Sequence, residues 1–227
     1  MRPGMSLCDP TAAGRSAHRD RRWEAALRRL LDIAGAAILL VLTAPVLLAI
    51  AMWVRLDSRG PALHRQERLG RDLRPFTLYK FRSMRVGVDD ALHRALIAAE
   101  LRGEDTSTVG STKIGYDPRV TRAGRFLRRT SLDELPQLLN VLRGDMSLIG
   151  PRPCLLWEAE MFPPRYAARF SVRPGLTGLW QVTGRSTMGT LDMLELDLEY
   201  VRTRRLSRDL AILGATIPAV MRGDGAR

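Results

Sequence analysis

The longest apolar run of the chain lies near its beginning. No charged residue occurs from Ile33 to Val54, and leucine and alanine repeat at helical spacing from Trp23 onward. At about 1.5 Å per residue, this run predicts a helix of roughly 33 Å, which is long enough to cross the hydrocarbon core of a membrane. A buried core helix is the alternative, but an unbroken apolar run of this length favours a membrane segment.

Pro45 and the charges on the flanks bear on the membrane topology. Pro45 removes a helical hydrogen bond in the middle of the run and predicts a kink at Ala44–Pro45. Arginine is frequent on both flanks, at positions 21, 22, 28 and 29 before the run and 55, 59, 65, 68, 71 and 74 after it. A crossing helix usually has its positive excess on one side. A re-entrant helix satisfies both flanks, and a kinked full crossing stays open.

The pattern after the apolar run predicts an α+β domain that is mainly helical. Loose alternation around Gly70 predicts a hairpin over Leu63–Tyr79. Apolar residues at helical spacing predict helices over Asp89–Leu101, Leu135–Leu142 with a stop at Gly144, Leu191–Val201 and Leu206–Met221, the last two amphipathic. Arginines spaced by three predict a helical stripe over Asp117–Arg129. Loops are predicted over Gly103–Tyr116 and over Val172–Arg185, the second with a short strand.

Four segments follow from this reading of the chain. Residues 1–22 lack periodicity and are predicted to be a disordered leader that is not a signal peptide. Residues 23–56 form the predicted re-entrant membrane helix, with interfacial amphipathic helices elsewhere in the chain. Residues 57–223 form a membrane-associated domain with a short β element, and residues 224–227 form a tail.

The charge of the chain indicates an anionic partner. The formal net charge is +12, from 36 basic and 24 acidic residues, and Lys80 and Lys113 are the only lysines. Nucleic acid, an anionic lipid surface or a phosphorylated substrate would all fit such a balance. The two cysteines, Cys8 and Cys154, form no spaced motif, which favours a reducing compartment without a disulfide or zinc framework.

Two adjacent acids carry the candidate chemistry. Asp133 and Glu134 follow a run of arginines that includes Arg128, and adjacent carboxylates can divide nucleophilic, metal-binding and proton-transfer roles. Ser131 and Glu134 also match a capping box, in which case Pro136 would lose a needed hydrogen bond. With Asp133 as the cap, the proline falls where no donor is required. Either way both acids lie at a helix N-terminus, where the macrodipole favours ionised carboxylates.

Basic residues near the acids suit a phosphate-bearing substrate. Arg152 stands between two prolines that restrict its backbone, so its guanidinium could be held for bidentate contact with phosphate. Lys80 follows a predicted strand, although a solvated lysine is the ordinary interpretation. The glycines from Gly178 to Gly184, followed by Arg185, could approach a nucleotide closely.

The ordered set of motifs resembles the bacterial sugar transferase family, also called monotopic phosphoglycosyl transferases. The matching motifs run roughly from residue 23 to residue 223 and, after the proline-broken helix, comprise Gly60-Pro61, Gln66-x-Arg68-x-Gly70, Lys80-Phe81-Arg82-Ser83-Met84, Asp117 to Thr121, Arg128 to Gln137, Asn140 to Ser147, Gly150 to Pro153, Arg173 to Gly178, Gln181, Gly184-Arg185 and Leu196-Asp197-x-x-Tyr200. Each motif is weak alone, but their order is specific.

The resemblance implies an enzyme that moves a sugar-1-phosphate from a UDP-sugar to a polyprenyl phosphate such as undecaprenyl phosphate, with release of UMP. In that family the first acid of the pair, here Asp133, is the covalent nucleophile and a ligand of the required Mg²⁺, and Glu134 is its catalytic partner. Residues at the positions of Lys80, Arg128, Arg152 and Arg185 bind substrate phosphates. The membrane helix, kinked at Pro45, is re-entrant.

The resemblance also implies a cellular location, and two other classes of protein are alternatives. The chain matches the short form of the family. The resemblance places its catalytic domain on the cytoplasmic face of the bacterial inner membrane, against the anionic leaflet. A homodimer is one of the possible oligomeric states. Ala44 and Thr183 replace the serine and asparagine that are frequent in the family.

A nucleic-acid-binding protein would share the net charge, but aromatic residues make up only 6% of the chain and no DNA-binding motif occurs. A membrane scaffold would not need the acid pair.

Overall fold

The fold is mainly helical, with two small sheets and one long apolar helix, as the sequence predicts. The structure, a computed structural model, describes residues 10–85, 91–104, 119–184 and 188–222. Helix α1 spans Pro10–Asp57. Next come strand β1 (Leu63–Leu69), a 3₁₀ turn (Arg71–Leu73), strand β2 (Pro75–Phe81), and helices α2 (Ala91–Leu101) and α3 (Arg122–Thr130). The second half contains a 3₁₀ helix (Leu132–Gln137), α4 (Leu138–Arg143), β3 (Ser147–Ile149), α5 (Leu156–Met161), a 3₁₀ helix (Pro164–Ser171), β4 (Gly175–Thr177), α6 (Leu179–Thr183), α7 (Thr190–Thr203) and α8 (Leu206–Arg222).

The strongly periodic segments fold as predicted, and the short elements were missed. The predicted hairpin, α2, α7 and α8 are confirmed, and Gly144 ends α4 with φ 91°. The sequence did not predict β3, α5 or α6, and α6 occupies part of the predicted glycine loop. Of the predicted loop Gly103–Tyr116, only residues 103 and 104 lie within the described part of the chain.

The hairpin supplies the main sheet. Strands β1 and β2 pair antiparallel, with Leu63 opposite Phe81 and Leu69 opposite Pro75. Asn140, fully buried on α4, extends this pairing through its side chain: its amide nitrogen donates to the carbonyl of Thr77 (2.7 Å), and its amide oxygen accepts from the backbone N–H of Tyr79 (3.1 Å). Asn140 therefore fixes α4, and the 3₁₀ helix before it, against β2.

The second sheet joins two distant parts of the chain. Strands β3 and β4 are parallel, with Ser147 opposite Gly175 and Ile149 opposite Thr177. A Cβ at Gly175 would lie 2.1 Å from the nitrogen of Gly150, so no larger residue fits there without a shift of backbone. This close approach places the loop after β3, which contains Arg152, against the start of β4.

Helix α1 packs one face on the domain and leaves the other face open. Among the described residues, Trp23–Asp57 is long and apolar enough to cross a membrane, and only 11% of its most apolar window is buried. Ala36 joins a core cluster with Leu138 and Leu148, whereas Ile50 and Val54 join a second cluster with Phe81, Ala123 and Leu127. Large apolar side chains point away from the domain, with Val41 and Leu48 more than 70% exposed.

The N-terminal half of α1 is tied to the domain by polar contacts. The Arg29 guanidinium donates to the carbonyls of Val141 (2.6 Å) and Leu142 (2.8 Å) at the end of α4. The buried carboxylate of Asp32 accepts from the backbone N–H of Leu148 (2.8 Å) and from the hydroxyl of Ser147 (3.0 Å). These contacts fix the beginning of the apolar run next to α4 and β3.

The C-terminal end of α1 is tied to the same domain. The guanidinium of Arg82, which is buried just beyond β2, donates to the carbonyls of Val54 (3.2 Å), Ser58 (2.7 Å) and Arg59 (2.7 Å). Asp57 accepts from the backbone N–H of Ala123 (3.0 Å) at the start of α3. Both ends of the apolar run Ile33–Val54 therefore bind one folded body.

The predicted segment boundaries and the fate of Pro45 stay predictions. Helix α1 begins at Pro10, inside the predicted leader 1–22, and residues 1–9 and the tail 224–227 lie outside the described residues. Pro45 lies within α1, and the helix continues past it to Asp57. The contacts at the two ends of the helix, and not its shape at Pro45, bear on the membrane topology.

Candidate active site

The acid pair lies in the 3₁₀ helix Leu132–Gln137, between α3 and α4. Ser131 adopts the left-handed conformation (φ 56°) and ends α3, with its N–H donating to the carbonyls of Arg128 and Leu127. An N-cap residue typically has extended backbone, so the capping box at Ser131, one of the two alternatives that the sequence left open, does not form, and Ser131 makes no side-chain cap there. Pro136 is buried inside the 3₁₀ helix. Asp133 and Glu134 are thus half-buried in the first turn of a short helix, as the sequence predicts in outline.

Lys80 lies across from the acid pair. It is the sixth residue of β2, half-buried, and its electrostatic neighbours are Arg68, Asp133, Arg152 and Arg128. Because β2 packs extensively on the 3₁₀ helix that contains Asp133, the ammonium and the carboxylate share one environment. The structure thereby brings together four of the predicted site residues: Lys80, Arg128, Asp133 and Arg152.

The environment shifts the pKa values of Asp133 and Lys80 toward neutrality. Burial, followed by the charge of Glu134, raises the pKa of Asp133 to about 6, against the opposing effects of Lys80 and Arg128. Burial, followed by the charge of Arg68, lowers the pKa of Lys80 to about 8. The rise for Asp133 is opposite to the effect expected from a helix macrodipole, since burial and the adjacent carboxylate outweigh it. With these pKa values, Asp133 is about 90% ionised and Lys80 is charged at pH 7.

Arg128 reaches the site from the last turn of α3. Its Nε donates to the hydroxyl of Ser83 (3.0 Å), which fixes the side chain relative to the end of β2. The helix can approach Ser83 because residue 124 is glycine: a Cβ there would lie 2.0 Å from the Ser83 carbonyl oxygen. Thr121 caps α3 by accepting from the backbone N–H of Gly124. Ser83 belongs to the Lys80-Phe81-Arg82-Ser83-Met84 motif, but the sequence indicated no role for it.

Arg152 extends into solvent from a backbone that is fixed on every side. The carbonyls from Pro151 to Cys154 all accept hydrogen bonds, from the N–H of Gly175 (2.8 Å), the guanidinium of Arg169 (2.9 Å), the guanidinium of Arg68 (3.1 Å) and the N–H of Leu69 (3.0 Å). The exposed Arg152 guanidinium lies 5.8 Å from the ring centre of Trp180 on α6. The predicted rigidity of this arginine is therefore a property of hydrogen bonds as well as of the two prolines.

A buried ion pair helps to hold the backbone of Arg152 in place, and the sequence did not predict it. The guanidinium of Arg169 donates to the Asp197 carboxylate at 2.7 and 3.1 Å, with both side chains almost fully buried, and the same guanidinium holds the carbonyl of Arg152. Asp197 was part of a matched motif, but the single arginine at 169 gave no signal of its own. Its role becomes visible only when the 3₁₀ helix Pro164–Ser171 and α7 are brought together.

Arg185, the remaining predicted phosphate ligand, lies outside the described residues. Its predicted role stays a prediction. The adjacent Gly178–Gly184 segment forms α6 instead of an open loop, and it contributes Trp180 beneath Arg152.

The acid pair is chemically suited to Mg²⁺. In phosphoryl-transfer sites, this ion usually binds through one or two carboxylates and completes its coordination with water and substrate phosphates. Asp133 and Glu134 provide such carboxylates, half-buried beside basic residues that would face the same phosphates. Within the described residues, no group of three or more His, Cys, Asp and Glu side chains could hold a metal without a substrate.

Comparison with known proteins adds to this geometry. A family model described as bacterial sugar transferase matches residues 23–223, which is most of the chain. The chain belongs to the bacterial sugar transferase family. The resemblance that the motifs indicate is thus confirmed.

Individual relatives are named as undecaprenyl-phosphate sugar-phosphate transferases or as an exopolysaccharide production protein. The chain is 44% identical over 207 residues to a UDP-glucose:undecaprenyl-phosphate glucose-1-phosphate transferase of Caulobacter vibrioides, covering 88% of this chain and 71% of the relative. It is 38% identical over 200 residues to the exopolysaccharide production protein ExoY of Rhizobium meliloti, covering 88% and 87%. It is 40% identical over 200 residues to an undecaprenyl-phosphate galactose phosphotransferase of Salmonella typhimurium, covering 88% of this chain but 41% of the relative. The chain thus spans about two fifths of the length of the longer curated relatives.

Proposed function

We propose that this bacterial sugar transferase moves a sugar-1-phosphate from a UDP-sugar to undecaprenyl phosphate and releases UMP. One observation carries the proposal: the carboxylate of Asp133 is half-buried beside Lys80 and Arg128, with its pKa raised to about 6, and Lys80 also has Arg152 as a neighbour. Such a group is ionised at pH 7 yet poorly hydrated, as a nucleophile should be. The names of the relatives supply the substrate classes.

In the first step, Asp133 would attack the phosphorus that bears the sugar. A bond forms between a carboxylate oxygen of Asp133 and phosphorus, the phosphoanhydride bond breaks, and UMP leaves with the electron pair. Lys80, Arg128 and Arg152 would stabilise negative charge on the phosphoryl oxygens as it develops. The fixed backbone of Arg152 would reduce the entropy cost of placing its guanidinium on the donor.

In the second step, an oxygen of undecaprenyl phosphate would attack the same phosphorus. The new phosphoanhydride bond forms as the bond to Asp133 breaks, which regenerates the carboxylate. This two-step route separates two anionic substrates in time, so that they need not occupy the site together. Mg²⁺ held by Asp133 and Glu134 would neutralise charge on phosphate oxygens when bound.

The attachment of α1 supports a re-entrant position in the membrane. A full crossing would put Arg29 and Asp57 on opposite sides of about 30 Å of hydrocarbon. Both residues, however, bind the same folded body. The exposed apolar face between them would enter the membrane and return, with the catalytic domain on the cytoplasmic face of the inner membrane. The anionic leaflet and the homodimer stay predictions.

The covalent step can be tested without the lipid acceptor. Full-length protein is mixed with Mg²⁺ and UDP-glucose labelled in the sugar, with UDP-galactose in a parallel reaction. We expect a burst of UMP equal to the amount of enzyme and a labelled peptide at Asp133 by mass spectrometry. Asp133→Asn should lose turnover at least about a thousandfold and should lose the adduct, because a carboxamide is a very poor nucleophile.

The controls separate the nucleophile from its surroundings. Asp192→Asn replaces an exposed carboxylate on α7 with the same amide and should leave the burst unchanged. Glu134→Gln keeps the nucleophile and should slow turnover while some adduct still forms. UMP release that requires acceptor, with no adduct at Asp133, would exclude the covalent route. Asp133 would then be a metal ligand or a structural residue.

A further inference from the structure

A second basic cleft lies at the N-terminal end of the apolar run. It is a small open cleft of about 80 Å³, and its lining contains five arginines, Arg28, Arg29, Arg71, Arg173 and Arg204, together with Asp32. We call it the arginine cleft. It shares no lining residue with the group of Lys80, Arg128, Asp133 and Arg152. The proposed transfer reaction therefore leaves it without a role.

The charges of the arginine cleft are not balanced by the protein. Arg28 is paired with Glu24 (2.9 Å) and Asp209 (2.6 Å), and Arg71 is paired with Asp72 (3.3 Å). The other three arginines face one carboxylate, that of Asp32, which already accepts from Ser147 and Leu148. An excess of positive charge therefore stays in the cleft.

The arginines of the cleft repel one another. Burial, and after it the charges of Arg71 and Arg29, lowers the pKa of Arg173, and Arg204 contributes in the same direction. The Nε of Arg204 is buried without a hydrogen-bond partner among the described residues. Holding like charges together costs free energy, and a bound anion would relieve that cost.

Two arginines of the cleft are already held in place. Arg29 binds the carbonyls of Val141 and Leu142, and the Nε of Arg173 donates to the carbonyl of Gly144 (2.8 Å). Their guanidinium groups therefore enter the cleft from a fixed frame, whereas Arg71 comes from the hairpin turn and Arg204 from the end of α7. Four segments thus converge on one small space.

We propose that the arginine cleft binds a phosphate group, either the headgroup of an anionic phospholipid or free inorganic phosphate. Guanidinium groups bind phosphate oxygens in bidentate fashion, and several of them around a cleft suit a tetrahedral anion. Arg28 and Arg29 stand four or five residues before the apolar run begins at Ile33. At that position a lipid headgroup would reach the cleft while its acyl chains lie along the exposed face of α1.

A charge-matched pair of variants tests this proposal. Arg71→Gln with Arg204→Gln removes two cleft arginines, whereas Arg74→Gln with Arg202→Gln removes two exposed arginines from the same turn and the same helix. Thermal unfolding of the full chain in a neutral detergent is titrated with two probes. The probes are inorganic phosphate, against chloride at equal ionic strength, and phosphatidylglycerol in mixed micelles, against diacylglycerol with the same chains.

We expect saturable stabilisation of the parent and of the Arg74/Arg202 variant. For the Arg71/Arg204 variant the half-saturating concentration should rise at least about tenfold, because two charge-assisted contacts are lost. An effect with phosphatidylglycerol alone would support a lipid headgroup, an effect with phosphate alone would support a soluble anion, and both would support the shared chemistry. Phosphate binding at the catalytic site would affect both variants equally.

Two results would overturn the proposal. One is the absence of saturable stabilisation by either probe. The other is equal half-saturation in the Arg71/Arg204 and Arg74/Arg202 variants. If the Arg71/Arg204 variant does not fold, Arg71→Gln alone decides, because Arg71 is about half exposed on a turn and its side chain is not needed for the core.

Discussion

At the scale of single residues, the candidate active site combines ionisable groups whose charged forms are disfavoured by their surroundings. Asp133 is half-buried beside another carboxylate, and Lys80 is half-buried beside three arginines. Burial and a neighbouring like charge disfavour the ionised form of each residue. The opposite charges of Asp133 and Lys80, in contrast, favour each other's ionised form. Shifted pKa values of this kind are frequent in sites that react with phosphates, because bound substrate and metal complete the balance of charge.

The pKa values of Asp133 and Lys80 predict the pH dependence of adduct formation without acceptor. Below pH 6 the nucleophile becomes protonated, so the rate should fall about tenfold per pH unit. Above pH 8 Lys80 loses its charge, so donor binding should weaken. Quenched-flow measurement of UMP from pH 5 to pH 9 should therefore give a bell-shaped profile with limbs near pH 6 and pH 8. Omitting the lipid excludes titration of its phosphate.

Two variants should move the limbs in different directions. Glu134→Gln removes the neighbouring charge that raises the pKa of Asp133, so the acid limb should move below pH 6. Lys80→Arg keeps a positive charge at high pH, so the basic limb should move above pH 8 even if the rate is lower. A rate that is unchanged between pH 5 and pH 7 would contradict the assignment of Asp133.

Arg152 is expected to require a guanidinium and not only a charge. Arg152→Lys keeps the charge but loses the planar pair of donors and the contact with Trp180. We expect kcat/KM for the UDP-sugar to fall about 10- to 100-fold, measured as UMP release with acceptor present. Arg129→Lys makes the same change at an exposed arginine beside Arg128 and serves as control. If Arg152→Lys equals this control, the bidentate role is wrong.

At the scale of elements, the segment from Lys80 to Ser83 shows how one strand end serves several purposes. Lys80 belongs to the candidate active site, Phe81 belongs to the cluster around Ile50 and Val54, and Arg82 binds the end of α1. Ser83 then holds Arg128. The candidate active site and the attachment of the apolar helix are therefore fixed by consecutive residues.

Removal of the Arg82 side chain should destabilise the protein by releasing the end of α1. Arg82→Met fills similar space but leaves the carbonyls of Val54, Ser58 and Arg59 without their donor. We expect a loss of about 3 kcal/mol in the free energy of unfolding and a fall in Tm of roughly 6–12 °C, measured by thermal unfolding in detergent. Arg85→Met, an exposed position three residues later, should change Tm little. Equal Tm values for the two variants would show that Arg82 does not hold α1.

The sequence predicted the elements whose signals are local and periodic. The apolar run, the hairpin around Gly70 and helices α7 and α8 each repeat a pattern over many residues, so spacing alone identifies them. The acid pair and Arg152 were found because adjacent carboxylates and a Pro-Arg-Pro motif are unusual in themselves. Their approach to Lys80 and Arg128 could be expected only from the family resemblance.

The missed features depend on contacts between distant residues. Strand β3 is three residues long and exists because Gly150 and Gly175 let it approach β4, the short strand that was predicted within Val172–Arg185. The pairing of Arg169 with Asp197 spans 28 positions and has no local signature. Ser131 looked like a cap because its neighbours fit the pattern, but the preceding helix α3 ends on it in the left-handed conformation. In each case tertiary structure decided what local sequence left open.

At the scale of the whole molecule, the exposed apolar surface and the attachments of α1 indicate which face of the protein would meet a membrane. Large apolar side chains are exposed along α1 and also on α8, where Leu210, Leu213 and Ile217 face away from the buried Ile212. An exposed apolar stripe of this kind is typical of a surface that meets a membrane. The arginines on both flanks of α1 would then lie at the headgroup level on one face.

The last prediction is that both ends of the apolar run face the cytoplasm. Ala26→Cys and Arg59→Cys are exposed positions on the two sides of the run, each introduced alone into a chain with Cys8→Ser and Cys154→Ala. Neither should react with a membrane-impermeant maleimide in intact bacterial cells, because both ends of α1 bind one folded domain. Both should react after the cells are permeabilised.

A cysteine in a periplasmic loop of a resident membrane protein controls for access of the reagent. Labelling of Ala26→Cys alone in intact cells would mean a full crossing. In that case the contacts of Arg29 with α4 and of Asp57 with α3 could not exist together in the membrane. The Arg82→Met variant then gives an internal check. If the contacts of Arg82 prevent α1 from crossing the membrane, their loss should let some molecules cross. The cysteine at position 26 should then become partly reactive in intact cells in the Arg82→Met background and stay unreactive in the Arg85→Met background.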